Sequence, residues 1–157
     1  MKNSARAVVF CLALIGVLFE CQPVNAQVTG LTFRPVDAAY SLALDKVILV
    51  SANPNQLHIY DPVAQSDRPV GLSAAPQNVC LSPDGTHAGV AFSNSVAYVD
   101  LQAATVSNTF SNVAVGTGKV ICGSGYLYVF PSYVGSIISI DITTGHIWTR
   151  PGLQERR

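Results

Sequence analysis

Two hydrophobic patterns divide the chain. Near the start, Ala7 to Phe19 is an almost uninterrupted apolar run behind Lys2 and Arg6. Beyond residue 37, short runs rich in Val, Ile, Tyr, Ser and Thr alternate apolar and polar positions and are broken by Gly, Pro, Asn and Asp. Alternation of period two bounded by turn formers predicts strands, and no long apolar face of period 3.6 argues for helices. The predicted strands are Ala38–Leu42, Lys46–Ser51, Gln56–Asp61 and a weak one near Pro69–Leu72; Gln77–Leu81, His87–Phe92, Ser95–Asp100 and Val106–Phe110; Lys119–Cys122, Tyr126–Pro131, Ile137–Asp141 and His146–Arg150.

Three segments align by this pattern: residues 43–62, 81–101 and 122–142. Each carries a turn, a strand, a second turn and a strand ending in Asp. Those aspartates, Asp61, Asp100 and Asp141, are 39 and 41 residues apart, the period of a four-stranded repeat of roughly 40 to 45 residues. Pro83-Asp84-Gly85 turns the chain before one hairpin, and Ser93-Asn94 closes the next. Alternation points Val47, Leu49, Val90, Phe92, Leu127 and Val129 into the core.

The apolar run has the length of a signal h-region and falls short of the roughly 20 residues of a membrane span. Val24-Asn25-Ala26 offers small residues at the −3 and −1 positions, so cleavage is expected after Ala26. Glu20 before Cys21 departs from the small residue that lipidation requires. The expected organisation is a signal-peptide helix in 1–26, a lead-in over 27–36, three repeats over 37–150 (37–72, 73–112 and 113–150) and a disordered tail, 151–157. The protein is then secreted or periplasmic, with no stable membrane span after cleavage.

Residues 27–157 carry seven basic and eight acidic side chains. With no basic stripe, nucleic acid is not an expected partner. Cys80 and Cys122 are the cysteines left after cleavage, and they read as equivalent places in successive repeats. An oxidising compartment permits a bridge, but equivalent positions on neighbouring repeats often exceed the roughly 7 Å between Cα atoms that a disulfide tolerates. The alternative is two small buried hydrophobes.

The phrases VCLSPDGTHAGVAF, SVAYVDLQAATV and SIDITTG resemble the repeat signatures of bacterial YVTN-type and WD40-like β-propeller proteins. The resemblance covers approximately residues 37–150. It implies an all-β fold of antiparallel four-stranded blades, incomplete at about three blades where such proteins usually close a ring of seven. Gly-His and Trp-Asp marks and a literal YVTN are missing. Closure by a homo-oligomer, or by the remaining blades of a longer chain, would protect the exposed blade surfaces.

Candidate chemistry is sparse. The three repeat aspartates sit one per repeat and read as turn caps, not a calcium site. His58, His87 and His146 fall in different strand positions, and no cysteine lies at metal spacing. Trp148 alone makes no stacking cage for a quinone cofactor, and no cofactor is expected. Gly116-Thr117-Gly118-Lys119 lacks the complete phosphate-loop pattern and reads as a turn between repeats. The expected function is a non-catalytic interaction scaffold whose loops bind a protein, glycan or surface ligand, with Asn53, Asn55, Asn94 and Tyr133 as candidate binding-face positions. The alternatives are a fragment or subunit of a propeller hydrolase or lyase, and a truncated gene product without independent function.

Overall fold

Among the described residues, twelve strands pair into three separate four-stranded antiparallel sheets. The computed structural model describes residues 30–132 and 135–151. The expected signal peptide and its expected cleavage site, Tyr133 and the tail beyond Pro151 lie outside the described residues. Sheet 1 contains β1 (Pro35–Ser41), β2 (Lys46–Ala52), β3 (Asn55–Asp61) and β4 (Ser66–Gly71). Sheet 2 contains β5 (Asn78–Leu81), β6 (His87–Ala91), β7 (Ser95–Asp100) and β8 (Thr105–Ser111). Sheet 3 contains β9 (Lys119–Cys122), β10 (Tyr126–Phe130), β11 (Ser136–Asp141) and β12 (Ile147–Pro151). Each sheet is ordered as its strands follow in the chain.

Most strand bounds shift by a residue or so from the expectation, and three shifts bear on the repeat and its limits. β1 starts at Pro35, inside the stretch read as lead-in, because the pairing with β2 resumes beyond a bulge at Pro35/Asp37. β12 extends to Pro151, which pairs with Ser136. The weak strand near Pro69 is a full strand from Ser66; it lies at the sheet edge, where a proline forfeits no partner on its open side.

The side chains of each sheet point alternately to a leading face, toward the next sheet, and a trailing face, toward the preceding one. Ile48, Val50, Leu57 and Ile59 on the leading face of sheet 1 pack on Ala88, Val90, Ala97 and Val99 on the trailing face of sheet 2. Ala91, Val96 and Phe110 on the leading face of sheet 2 pack on Leu127, Val129, Ile138 and Ile140 of sheet 3. Each larger side chain fully buried in these layers contributes about 1.5–3 kcal/mol relative to exposure. Of the six core positions expected, Leu49, Val90, Phe92, Leu127 and Val129 are buried. Val47, on the trailing face of sheet 1, is only half-buried.

Polar ties repeat at the two junctions. On the inner strands, Asp37 Oδ2 accepts the Val79 N–H at 3.0 Å. One sheet later Asn78 Oδ1 accepts the Val120 N–H at 3.0 Å while its Nδ2 donates to Gly118 O at 2.7 Å. On the outer strands, Arg68 Nη1 and Nη2 donate to Gln102 O and Ala103 O, both at 2.8 Å. Asn108 Nδ2 donates to Ile142 O at 3.4 Å. Gly118 is obligatory, since a Cβ there would stand 2.0 Å from Phe130 O.

Candidate functional site

The repeat aspartates do the same local work three times. Asp61 Oδ1 accepts the N–H groups of Val63 and Ala64, Asp100 Oδ1 those of Gln102 and Ala103, and Asp141 Oδ1 those of Thr143 and Thr144, all at 2.8–2.9 Å. These bonds hold each carboxyl below the usual carboxylate range. The bond from Ala64 leads at Asp61, with the Lys46 ammonium next; Ala103 leads at Asp100 and Thr144 at Asp141. Their oxygens are thus engaged in turns, and among the described residues no group of three or more His, Cys, Asp or Glu side chains is placed to hold a metal ion.

Asn53 and Asn55 flank the β2–β3 turn, and Asn94 lies in the matching β6–β7 turn of sheet 2. Asn53 and Asn94 are exposed, and Asn55 is half-buried. The carbonyls of Ser93 and Asn94 accept the N–H groups of Val115 and Val113, and Asn55 O accepts that of Leu72. The backbone of these turns therefore anchors the connections between sheets.

The three histidines do not converge. His87 stacks on Tyr98, and His146 meets the edge of Trp148. His58 belongs to a network that the sequence reading missed: Nδ1 contacts Asp67 Oδ2 at 2.7 Å and Nε2 contacts Ser51 Oγ at 3.0 Å. The order Asp, His, Ser is that of a nucleophile triad. Its serine, however, is 0 % exposed, donates its only proton to Pro54 O at 2.6 Å, and lies below a histidine covered by the ring of Phe33 at 3.6 Å. The group is a buried polar tie. Its signal in the sequence was a histidine on a trailing face, where sheets 2 and 3 carry Ala97 and Ile138 in the same register.

Cys80 and Cys122 form a disulfide with Cα atoms 5.7 Å apart. Strand register accounts for this proximity. Cys80 pairs with Gly89, whereas the matching pair on sheet 3 is Ile121 with Tyr128. Cys122 is therefore one residue out of step, and one residue turns a side chain to the opposite face. Cys80 on the leading face of sheet 2 thus meets Cys122 on the trailing face of sheet 3. Gly89 makes the room, since a Cβ there would stand 2.9 Å from each sulfur.

The leading face of sheet 3 has no covering sheet among the described residues. Tyr126, Tyr128, Phe130, Ile137, Trp148 and Arg150 line a groove of about 440 Å³ across it. Tyr126 and Trp148 are 38 % and 39 % exposed, with ring centroids 6.2 Å apart. Arg150 supplies a cation, and no carboxylate lines the groove.

No family model and no curated protein matches the sequence. Solved structures do match the fold. AztD of Citrobacter koseri superposes with a TM-score of 0.68 at 13 % identity over 82 % of this chain and 38 % of that one. BamB from Moraxella catarrhalis gives 0.67 at 14 % over 84 % and 40 %. The WD40 repeats of RRP9 give 0.64 at 12 % over 80 % and 42 %. The sheets have the fold of β-propeller blades. At these identities the likeness establishes architecture alone. The chain spans about two fifths of the length of each of these structures, and its three blades stack leading face to trailing face, with no sheet over the leading face of the third among the described residues.

Proposed function

We infer that this chain is an exported, non-catalytic interaction scaffold that engages a protein through the leading face of its third blade. One observation carries the reading: residues that are buried between blades at two junctions recur, in the same register, as an exposed aromatic groove at the third. Tyr and Trp presented on a rigid sheet suit protein recognition, because they bury large areas at small entropic cost. Export is supported by the apolar run at residues 7–19 and by the Cys80–Cys122 bond, which persists in oxidising compartments. The repeated use of Asp61, Asp100 and Asp141 within turns leaves these carboxylates to structure instead of acid–base chemistry.

Photocrosslinking in the source cells tests this. A benzophenone side chain replacing Ser139, on the floor of the groove, should yield a discrete adduct that Tyr128→Glu abolishes, while the same group replacing Gln102 yields none. Equal labelling at both positions, or none at position 139, would overturn the assignment of the groove.

A further inference from the structure

The hydrogen bonds around His58 determine how many protons its ring carries. Ser51 Oγ stands 3.0 Å from Nε2 and gives its one proton to Pro54 O at 2.6 Å. The hydroxyl has no second proton for the ring, so it meets Nε2 with a lone pair, and Nε2 must supply the N–H. On the other side Nδ1 lies 2.7 Å from Asp67 Oδ2. An ionised carboxylate only accepts, so Nδ1 supplies an N–H as well. Aspartic acid is by far the stronger acid of the two, which leaves the shared proton on the ring. A neutral imidazole has one N–H; with two, His58 is an imidazolium.

The surroundings suit a cation. His58 is 3 % exposed, and its ring is covered by that of Phe33, with centroids 3.6 Å apart and planes inclined by 6°. An aromatic face is the negative part of the ring's quadrupole and attracts a cation laid over it. Asp67, with 32 % of its side chain exposed, balances the charge while staying hydrated itself. The other titratable groups on this trailing face are Tyr60 on β3 and Tyr40 on β1, whose hydroxyl donates to Asp45. From β2 come Val47, Leu49 and Ser51, none of which titrates. Lys46, Asp61 and Arg68 belong to the opposite face, where Lys46 pairs with Asp61 and Arg68 reaches blade 2. Arg34 is exposed beside Phe33. Among the described residues, the only charged side chain bonded to the ring is that of Asp67.

Loss of the Nε2 proton undoes more than one contact. A bare Nε2 faces the Ser51 oxygen lone pair to lone pair. Ser51 can satisfy it only by turning its proton away from Pro54 O, which lies in the β2–β3 turn. A neutral ring also gives up its charge attraction for Phe33, the half-buried residue of a stretch in which Leu31, Thr32 and Arg34 are exposed. The turn and the stretch before β1 therefore answer to one proton. Sheets 2 and 3 place Ala97 and Ile138 at this register, so the fold of a blade does not call for the charge.

We propose that His58 is an imidazolium at neutral pH and acts as a pH-operated latch: protonated, it holds Phe33 and the β2–β3 turn to blade 1, and on losing its Nε2 proton it releases both. The contacts that make the latch exist only in the protonated form, so they stabilise on the acid side of the transition and are lost as pH rises.

Long-range proton–nitrogen NMR spectra of the uniformly nitrogen-15-labelled chain distinguish a ring with two N–H groups from a ring with one, and His58→Gln assigns the signals. They are recorded from about pH 5 to about pH 9, a range that brackets an ordinary imidazole. Both His58 nitrogens should be protonated up to neutrality. Above it Nε2 should lose its proton, and in the same step the cross-relaxation between the Phe33 and His58 rings should weaken and the amide signals of Asn53 and Asn55 should shift. Ser51→Ala removes the acceptor of the Nε2 proton and Phe33→Leu removes the aromatic face; each should move the step to lower pH. An unprotonated ring nitrogen at neutral pH would refute the imidazolium. A ring that keeps both protons throughout, or a step that leaves Phe33 and the turn amides unmoved, would refute the latch. A step moved to higher pH by Ser51→Ala would mean that Ser51 donates to a neutral ring, and would overturn the proton count. The spectra of the unmodified chain decide the first two points even should a variant fail to fold.

Discussion

Tyr128 on blade 3 holds the register position that Gly89 holds on blade 2. The same place in the repeat is thus a floor beneath a disulfide in one blade and a wall of an open groove in the next. Gly89 contributes empty space, and filling it is costly. Gly89→Ala should destabilise the chain by about 1–3 kcal/mol, the usual penalty of overpacking. Urea unfolding with a thiol count on the folded protein would register both the loss and any opening of the bond.

The disulfide closes a loop spanning 42 residues in sequence. Chain-entropy reasoning gives about 3–4 kcal/mol for a loop of this size. Cys122→Ser, which leaves Cys80 without its partner, should lower the urea midpoint accordingly. Intact mass before and after alkylation of the unreduced protein should show no labelled cysteine at positions 80 and 122; labelling at both would mean that the bond is not formed.

Burial predicts a third effect. Phe92 lies in the layer between blades 1 and 2 and is 1 % exposed. Phe92→Ala should cost about 3–5 kcal/mol, whereas Ala at the half-buried Val47 should cost much less. A comparable loss at both positions would show that the trailing face of blade 1 is as closely packed as the junctions.

Acid should weaken all three aspartate turns together. Asp61, Asp100 and Asp141 are held below the usual carboxylate range in the folded chain by the turn N–H groups they accept. A carboxyl with a lowered folded value stabilises fully above its unfolded value and loses that contribution as pH falls through the folded one. Stability should therefore fall below about pH 4, and Asp100→Asn should flatten that acid limb while lowering stability at neutral pH. Thermal melts from pH 7 downward would reveal a limb unchanged by the substitution if the turn bonds were unimportant.

The last residue of these turns has positive φ in every blade: Gln65 at 51°, Ala104 at 55° and Gly145 at 72°. Only blade 3 uses glycine. A left-handed residue with a Cβ costs about 1–2 kcal/mol, partly offset by the greater freedom of an unfolded glycine. Ala104→Gly should accordingly raise stability by about 0.5–1 kcal/mol, read as a higher midpoint at unchanged slope.

Twelve strands were legible because alternation and turn residues are local signals, and the spacing of Asp61, Asp100 and Asp141 reported the repeat. What joins the blades was not legible. The proximity of Cys80 and Cys122 depends on a one-residue offset between β5 and β9, visible only once Gly89 and Tyr128 are matched through their partners. The Ser51–His58–Asp67 tie spans three strands and could not be read from spacing. Of the candidate loop positions, Asn53, Asn55 and Asn94 fall in matching turns, and the carbonyls of Asn55 and Asn94 accept backbone N–H groups from Leu72 and Val113. The aromatic groove escaped notice because Tyr126, Phe130 and Trp148 read as ordinary strand residues, and their exposure depends on which neighbour is stacked where.

Covalent connection divides the molecule differently from its blades. The Cys80–Cys122 bond fastens blade 2 to blade 3, while blade 1 is held to blade 2 by apolar packing, Asp37 and the Arg68 fork. A protease that cuts once between residues 81 and 121 leaves two pieces still tethered. A cut between β4 and β5 leaves blade 1 with only noncovalent hold. The bond therefore makes the groove-bearing end the durable part, and the end with the Phe33-capped histidine the part that a single cleavage can shed.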